Sequence, residues 1–193
     1  MILEFENELG DIRSVVSIDR QSAPHVRPLI TGEKAPFASF AAFAANGHPP
    51  VQVAEPTDEQ PLVVSFYCPC WGRYARPYLL QLIELAEQLR AEGTSLLVFS
   101  NEPVNSLLLQ FPQLNFQVVY DAGFTVARQF GVYSEANPIW DRVSGISEDV
   151  FTPALYVIGG ERQITYHFLD EDFDKTIPTE AVVDAARRVL VTQ

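Results

Sequence analysis

The chain has 193 residues, 47% of them hydrophobic and 20% charged, which suits one ordinary globular core and excludes disorder, collagen and a disulfide scaffold. A formal net charge of −12 argues against nucleic acid and anionic membrane surfaces, since both are bound by clustered lysine and arginine. No stretch approaches the roughly 18 apolar residues of a membrane helix.

The first residues, Met1 to Leu9, lack the basic and apolar regions of an export signal. With two cysteines in the whole length, a reducing compartment is implied, and the expected location is cytoplasmic.

Residues 1–30 are mixed in character and contain Pro24 and Pro28, so they are expected to form an N-terminal arm, with one domain over 31–193. Phe37 to Phe43 suits either a strand or a turn of helix. Asn46-Gly47 before His48-Pro49-Pro50 signals a turn, and Val51 to Val53 a short strand after it. Leu62 to Tyr67, bounded by Pro61 and Pro69, has the Val and aromatic content of a buried strand.

A long helix should run from about Arg73 to Ala91. Leu79, Leu82, Ile83, Ala86 and Leu89 fall on one face of it, Pro77 lies in its first turns, and Gly93 ends it. Ser95 to Ser100 is a second buried strand. A short helix at Val104 to Gln110, a strand at Phe116 to Tyr120 and a helix at Phe124 to Phe130 follow. Residues 133–150 show no period and are expected to be loop. Ala154 to Ile158 and Gln163 to Phe168 form a hairpin across Gly159-Gly160.

The last helix, Thr179 to Val191, carries acid near its start and Arg187 and Arg188 near its end, as the helix dipole favours. From Leu62 onward the order is β-α-β-α-β-α-β-β-α, with parallel crossovers first and an antiparallel hairpin late.

This order fits a thioredoxin-like α/β fold, a central mixed sheet flanked by helices, and four strings sharpen the likeness. Gly32-Glu-Lys-Ala35-Pro36, Val64-Ser-Phe66-Tyr67 with Trp71 and Tyr74, Val118-Val-Tyr-Asp121 with Ala127-Arg-Gln-Phe130-Gly131, and Thr152-Pro153-Ala154 through Ile158 occur in that order. Together they resemble the peroxiredoxin-like alkyl hydroperoxide reductase/thiol-specific antioxidant family over about residues 31–190. The resemblance implies a cis bond at Thr152-Pro153 beside an active-site loop.

It also implies two cysteines that are absent. Relatives follow Phe-Tyr with Arg-Gly-Gly-Trp-Cys-Pro-Tyr-Cys, and alignment on Trp71 and Tyr74 sets Gly72 and Ala75 at the two cysteine positions. The arginine that many relatives carry before the strand at Ala154 is also missing.

Cysteines occur instead at Cys68 and Cys70, in the loop between the buried strand and the long helix. A thiol reacts as its thiolate, which helix N-termini and nearby cations stabilise. Arg73 and Arg76 would oppose the dipole of that helix, which hints at an anion or thiolate partner or at plain solvation. Pro69 favours extended backbone, which would set the two Cα atoms roughly 6.2 Å apart. That separation is near the upper end of what a disulfide spans. If the bond forms, its small ring should be strained and easily reduced. The alternative is a pair of inert core thiols.

Other candidates are weaker. His25 and His48 are expected on the surface and His167 in a structural role. Cys68, Cys70 and His167 form a copper or zinc set only at a spacing unlike that of thioredoxin-fold copper chaperones, so no metal and no organic cofactor is expected. Asp170, Asp172 and Asp174 suggest a solvated acidic loop, and Trp71 and Trp140 packing residues.

The leading expectation is a thiol oxidoreductase with Cys70 as reactive thiolate and Cys68 as its partner. Trp71, Gly72, Arg73, Tyr74, Arg76, Thr152 and Pro153 would shape the site. A thioredoxin-like protein or glutathione would be the reductant and a peroxide or disulfide the substrate, with homodimerisation open. The rival is a non-catalytic binding or regulatory module on the same frame.

Overall fold

Short apolar runs bounded by proline and glycine become strands in this chain, and stretches with apolar residues three and four apart become helices. The computed structural model describes residues 2–6, 12–16, 27–36, 40–44, 51–112, 114–141 and 143–191. Ile2–Glu6 (β1) and Ile12–Val16 (β2) pair antiparallel, Leu3 opposite Val15, in a two-stranded sheet of their own. This hairpin stands where only an arm was expected.

The larger sheet contains Phe40–Ala44 (β3), Val51–Val53 (β4), Leu62–Tyr67 (β5), Ser95–Ser100 (β6), Gln117–Tyr120 (β7), Ala154–Ile158 (β8) and Ile164–Leu169 (β9). Its order is β4-β3-β7-β6-β5-β8-β9. Ala75–Ala91 (α1), Val104–Gln110 (α2), Thr125–Gln129 (α3) and Thr179–Val191 (α4) are the helices. From β5 to α4 the expected order holds throughout. The expected Asn46-Gly47 turn, His25 and His48 lie outside the described residues.

Strands β5, β6 and β7 are parallel, because helical crossovers join them, while β8 and β9 return antiparallel. Every residue of β5 and β8 is buried, the signature of strands covered on both faces. Helix α1 packs on β6, α4 packs on β8 and β9, and the two helices touch. Leu82, Leu85 and Leu89 of α1 are fully buried. Each stabilises the fold by roughly 1.5–3 kcal/mol relative to exposure.

Pro77, third residue of α1, needs no hydrogen-bond partner there and marks the helix start. Gly93, at φ +74, turns the chain out of α1, and the Thr94 N–H donates back to the Leu89 carbonyl. The Gly32–Pro36 string lies along the start of β9, with the Gly32 N–H donating to the Ile164 carbonyl at 2.9 Å. Among the described residues no helix is long and apolar enough to cross a membrane.

Candidate functional site

Strand β5 delivers the chain into the cysteine turn. The Trp71 N–H donates to the Cys68 carbonyl at 3.2 Å, which closes Cys68-Pro69-Cys70-Trp71 into a turn. A single 3-10 turn, Gly72–Tyr74, then leads into α1. This turn holds the Cα atoms of Cys68 and Cys70 only 5.2 Å apart, shorter than an extended Cys-Pro-Cys would allow, and the two sulfurs form a disulfide. Cys68 is fully buried and Cys70 partly exposed.

Trp71 anchors the turn. It is 2% exposed, and its Nε1 donates to the Phe151 carbonyl at 3.0 Å. Its ring meets Tyr67, Tyr74, Tyr78 and Phe173 at centroid distances of 5.2 to 5.7 Å. Trp140, by contrast, is 46% exposed and donates to Asp149, so the expected packing role holds for Trp71 only.

Gly72 sits at φ +56 with open space around its α-carbon. A side chain there would fit but would strain the backbone by roughly 1 kcal/mol. The position that carries cysteine in the relatives therefore has a backbone suited to glycine.

Hydrogen-bond donors reach both sulfurs. The Cys70 N–H donates to Cys68 Sγ at 3.2 Å, and Asn101 Nδ2 donates to Cys70 Sγ at 3.4 Å. Asn101 is the first residue after β6, and Tyr67 pairs with Ser100, so the register sets Asn101 beside the cysteine turn. Its Oδ1 is buried with no partner among the described residues, a situation that costs about 1–3 kcal/mol.

Cys70 lies before the 3-10 turn Gly72–Tyr74 that leads into α1, and so outside the first turn of α1, where the helix dipole acts strongly. Arg73 and Arg76 are exposed, and neither forms a salt bridge with a described residue.

A groove of about 640 Å³ runs beside the turn, between Trp71–Tyr74 on one side and Val143–Ile146 and Asp172–Phe173 on the other. Asp170 holds the far wall. It is fully buried, not part of a solvated acidic surface, because its carboxylate accepts the Lys175 N–H at 2.8 Å and the Asp174 N–H at 3.3 Å. The Tyr74 hydroxyl ties the same loop to the cysteine turn by donating to the Lys175 carbonyl.

Beneath the turn, the Ser65 and Tyr78 hydroxyls lie 3.0 Å apart, each within 3.2 Å of the Ala154 carbonyl. Burial pushes the Tyr67, Tyr74 and Tyr78 phenols well above their ordinary range, so all three are neutral at physiological pH and none is a base.

The Thr152–Pro153 bond is trans, against expectation. Proline permits both isomers, and here its carbonyl serves to extend the β8–β9 ladder by accepting the Asp170 N–H at 3.0 Å, while the Thr152 N–H donates to the Val132 carbonyl. The segment still adjoins the cysteine turn, through Phe151 and Trp71.

His167 Nδ1 accepts the Thr31 N–H at 3.0 Å, a structural role on β9, the edge strand of the sheet. Among the described residues no three His, Cys, Asp or Glu side chains converge in a way that could hold a metal.

The structure thus gathers Cys68, Cys70, Trp71, Gly72, Arg73 and Tyr74 on one turn, with Arg76 exposed in the next. Sequence reasoning missed Asn101 and the buried state of Asp170. The signal for Asn101 was a polar residue directly after the strand parallel to β5.

A mixed sheet with a parallel centre and a cysteine turn between a central strand and its crossover helix defines a thioredoxin-like protein. Residues 31–167 match the AhpC/TSA family, and the chain belongs to that family. No curated protein matches the sequence.

Solved structures share the fold. The mitochondrial 2-Cys peroxiredoxin of Plasmodium falciparum is 13% identical over 83% of this chain and 94% of its own, with a TM-score of 0.65. The peroxidoxin BcpB of Mycobacterium tuberculosis is 21% identical over 84% and 96%, with a TM-score of 0.58. A peroxiredoxin-like protein from Aquifex aeolicus is 14% identical over 97% and 98%, with a TM-score of 0.61.

Proposed function

We propose that this peroxiredoxin-family chain is a thiol oxidoreductase that cycles Cys68 and Cys70 between dithiol and disulfide. The carrying observation is the disulfide itself, set in the strand-to-helix turn with one sulfur buried and the other reachable.

In the reductive direction an external thiolate attacks the accessible Cys70 Sγ and forms a mixed disulfide. The Cys68 thiolate leaves, its charge met by the Cys70 N–H at 3.2 Å. A second external thiol then attacks the mixed disulfide, so two thiols become one disulfide and the protein is left as dithiol.

In the oxidative direction the Cys70 thiolate takes the terminal oxygen of a hydroperoxide and becomes a sulfenic acid, and the alkoxide released takes a proton. Cys68 then displaces water and restores the disulfide.

Peroxide reduction should be slow and exchange with disulfides preferred. Cys70 lies outside the first turn of α1, and no arginine stands immediately before Ala154. The electron donor would be glutathione or a thioredoxin-like protein. A second reading, a binding module without catalysis, is favoured by Gly72 and Ala75 at the family's cysteine positions.

Exchange with a disulfide substrate and peroxide consumption, both with a thiol donor, test the choice. We expect measurable exchange, abolished by Cys70→Ser, and slow peroxide turnover. Fast peroxide turnover lost in Cys70→Ser would overturn the preference for exchange. Inactivity with every thiol donor would overturn the catalytic reading in favour of the non-catalytic one.

A further inference from the structure

Asn101 is only partly buried, yet its amide oxygen is shut away from solvent. Its Oδ1 is buried without a partner among the described residues, and the one hydrogen bond its amide makes there is from Nδ2 to Cys70 Sγ, at 3.4 Å. Ordinary core packing gives no reason to bury an amide half satisfied.

The chemistry of sulfur does give one. A disulfide sulfur is a feeble acceptor and a thiolate a strong one, so a fixed N–H donor at this distance acts mainly on the reduced, ionised form. The other sources of positive potential are poorly placed. Cys70 precedes even the single 3-10 turn, Gly72–Tyr74, that leads into α1, and Arg73 and Arg76 stand in solvent, where their charge is screened. The Cys70 N–H is engaged with Cys68.

We propose that Asn101 is a positioning residue that stabilises the Cys70 thiolate and draws the Cys68–Cys70 pair toward its dithiol form. The proposal rests on the redox role of Cys70 argued above. It assigns to the residue after β6 a task that helix N-termini perform for other reactive cysteines. The electron balance is that of the exchange cycle: two external thiols are oxidised for each disulfide opened, and Asn101 changes how far that equilibrium runs.

The test uses the intact protein with Asn101→Leu and the near-isosteric Asn101→Asp, folding being checked by near-ultraviolet circular dichroism. Two quantities are read. One is the pH dependence of Cys70 alkylation by iodoacetamide after reduction, recorded in a Cys68→Ser background. The other is the dithiol fraction in glutathione redox buffers, at a pH above the alkylation midpoints.

Asn101→Leu should raise the midpoint by about 0.5–1 pH unit and shift the equilibrium about 3- to 10-fold toward disulfide. Asn101→Asp, with an anion in place of the donor, should raise it further. A filler role alone would leave the Leu variant at the wild-type midpoint, since the Asp variant rises by charge repulsion in either case.

If wild type exchanges with glutathione and the Leu variant keeps its profile, the role given to Asn101 is wrong while the redox function stands. If the wild-type disulfide never exchanges with glutathione, both fall together.

Discussion

Two neighbouring strands end in side chains of nearly the same shape and opposite circumstances. After β7 comes Asp121, whose carboxylate accepts backbone N–H groups from Thr125 at 2.8 Å, Val126 at 3.3 Å and Ala127 at 2.9 Å, closing the start of α3. After β6 comes Asn101, whose amide has one oxygen without a partner among the described residues and one donor on a sulfur. Both residues stand outside the carboxyl ends of parallel strands, where open α/β sheets place their ligands. The contrast separates a group that completes local structure from one that local structure leaves unsatisfied, the one proposed above to act on the thiolate.

Removing each group should have opposite consequences. Asp121→Ala leaves three N–H groups at the start of α3 without their acceptor and should lower the unfolding free energy by about 2–4 kcal/mol, read from urea denaturation. Its Cys70 alkylation profile should match wild type. A shift there would merge the two roles and break the contrast.

Asn101→Ala should change stability by less than about 1 kcal/mol. Losing an unpartnered oxygen offsets the packing that is lost with it. A larger loss would make Asn101 structural after all.

The smallest effect belongs to a control at the far end of α1, where Arg187 grips the Glu92 carboxylate at 2.8 Å. The hydrogen bond from Arg187, helped by its charge, holds the Glu92 carboxyl below the usual range. Its contribution is therefore complete above an unfolded value of about 4.3 and is lost as pH falls through the lower folded value. Both groups are solvent-facing, so Arg187→Met should lower the thermal midpoint only slightly at neutral pH, with the difference vanishing in acid and in high salt. Thermal scans between pH 2 and 7 would show it, and the thiol profile should not move.

The frame was legible because its signals are local. The buried run Leu62–Tyr67, the glycine at 93 and the amphipathic Thr179–Val191 each specify an element from within a few residues. The resemblance likewise rested on short strings in order. The missing parts depend on distant partners.

Asn101 meets Cys70 only because β5 and β6 align Tyr67 with Ser100. Asp170 is buried because the loop after it folds back to donate two N–H groups, whereas a run of carboxylates taken alone suggests solvent. The cis bond was inferred from family likeness at a proline whose surroundings accept the trans form. The hairpin of β1 and β2 was hidden by the prolines after it, though Ile2–Glu6 and Ile12–Val16 have the length and content of strands.

The cysteines lie two positions apart, and that spacing sets how much the bond between them matters to the fold. A crosslink tightens the denatured chain in proportion to the logarithm of the loop it closes, and a loop this short is near the bottom of that scale. Opening it therefore frees little of the unfolded ensemble. In the proposed cycle the chain would carry an electron pair and give it up while its architecture hardly registers the difference, so oxidation would change reactivity and leave the scaffold standing.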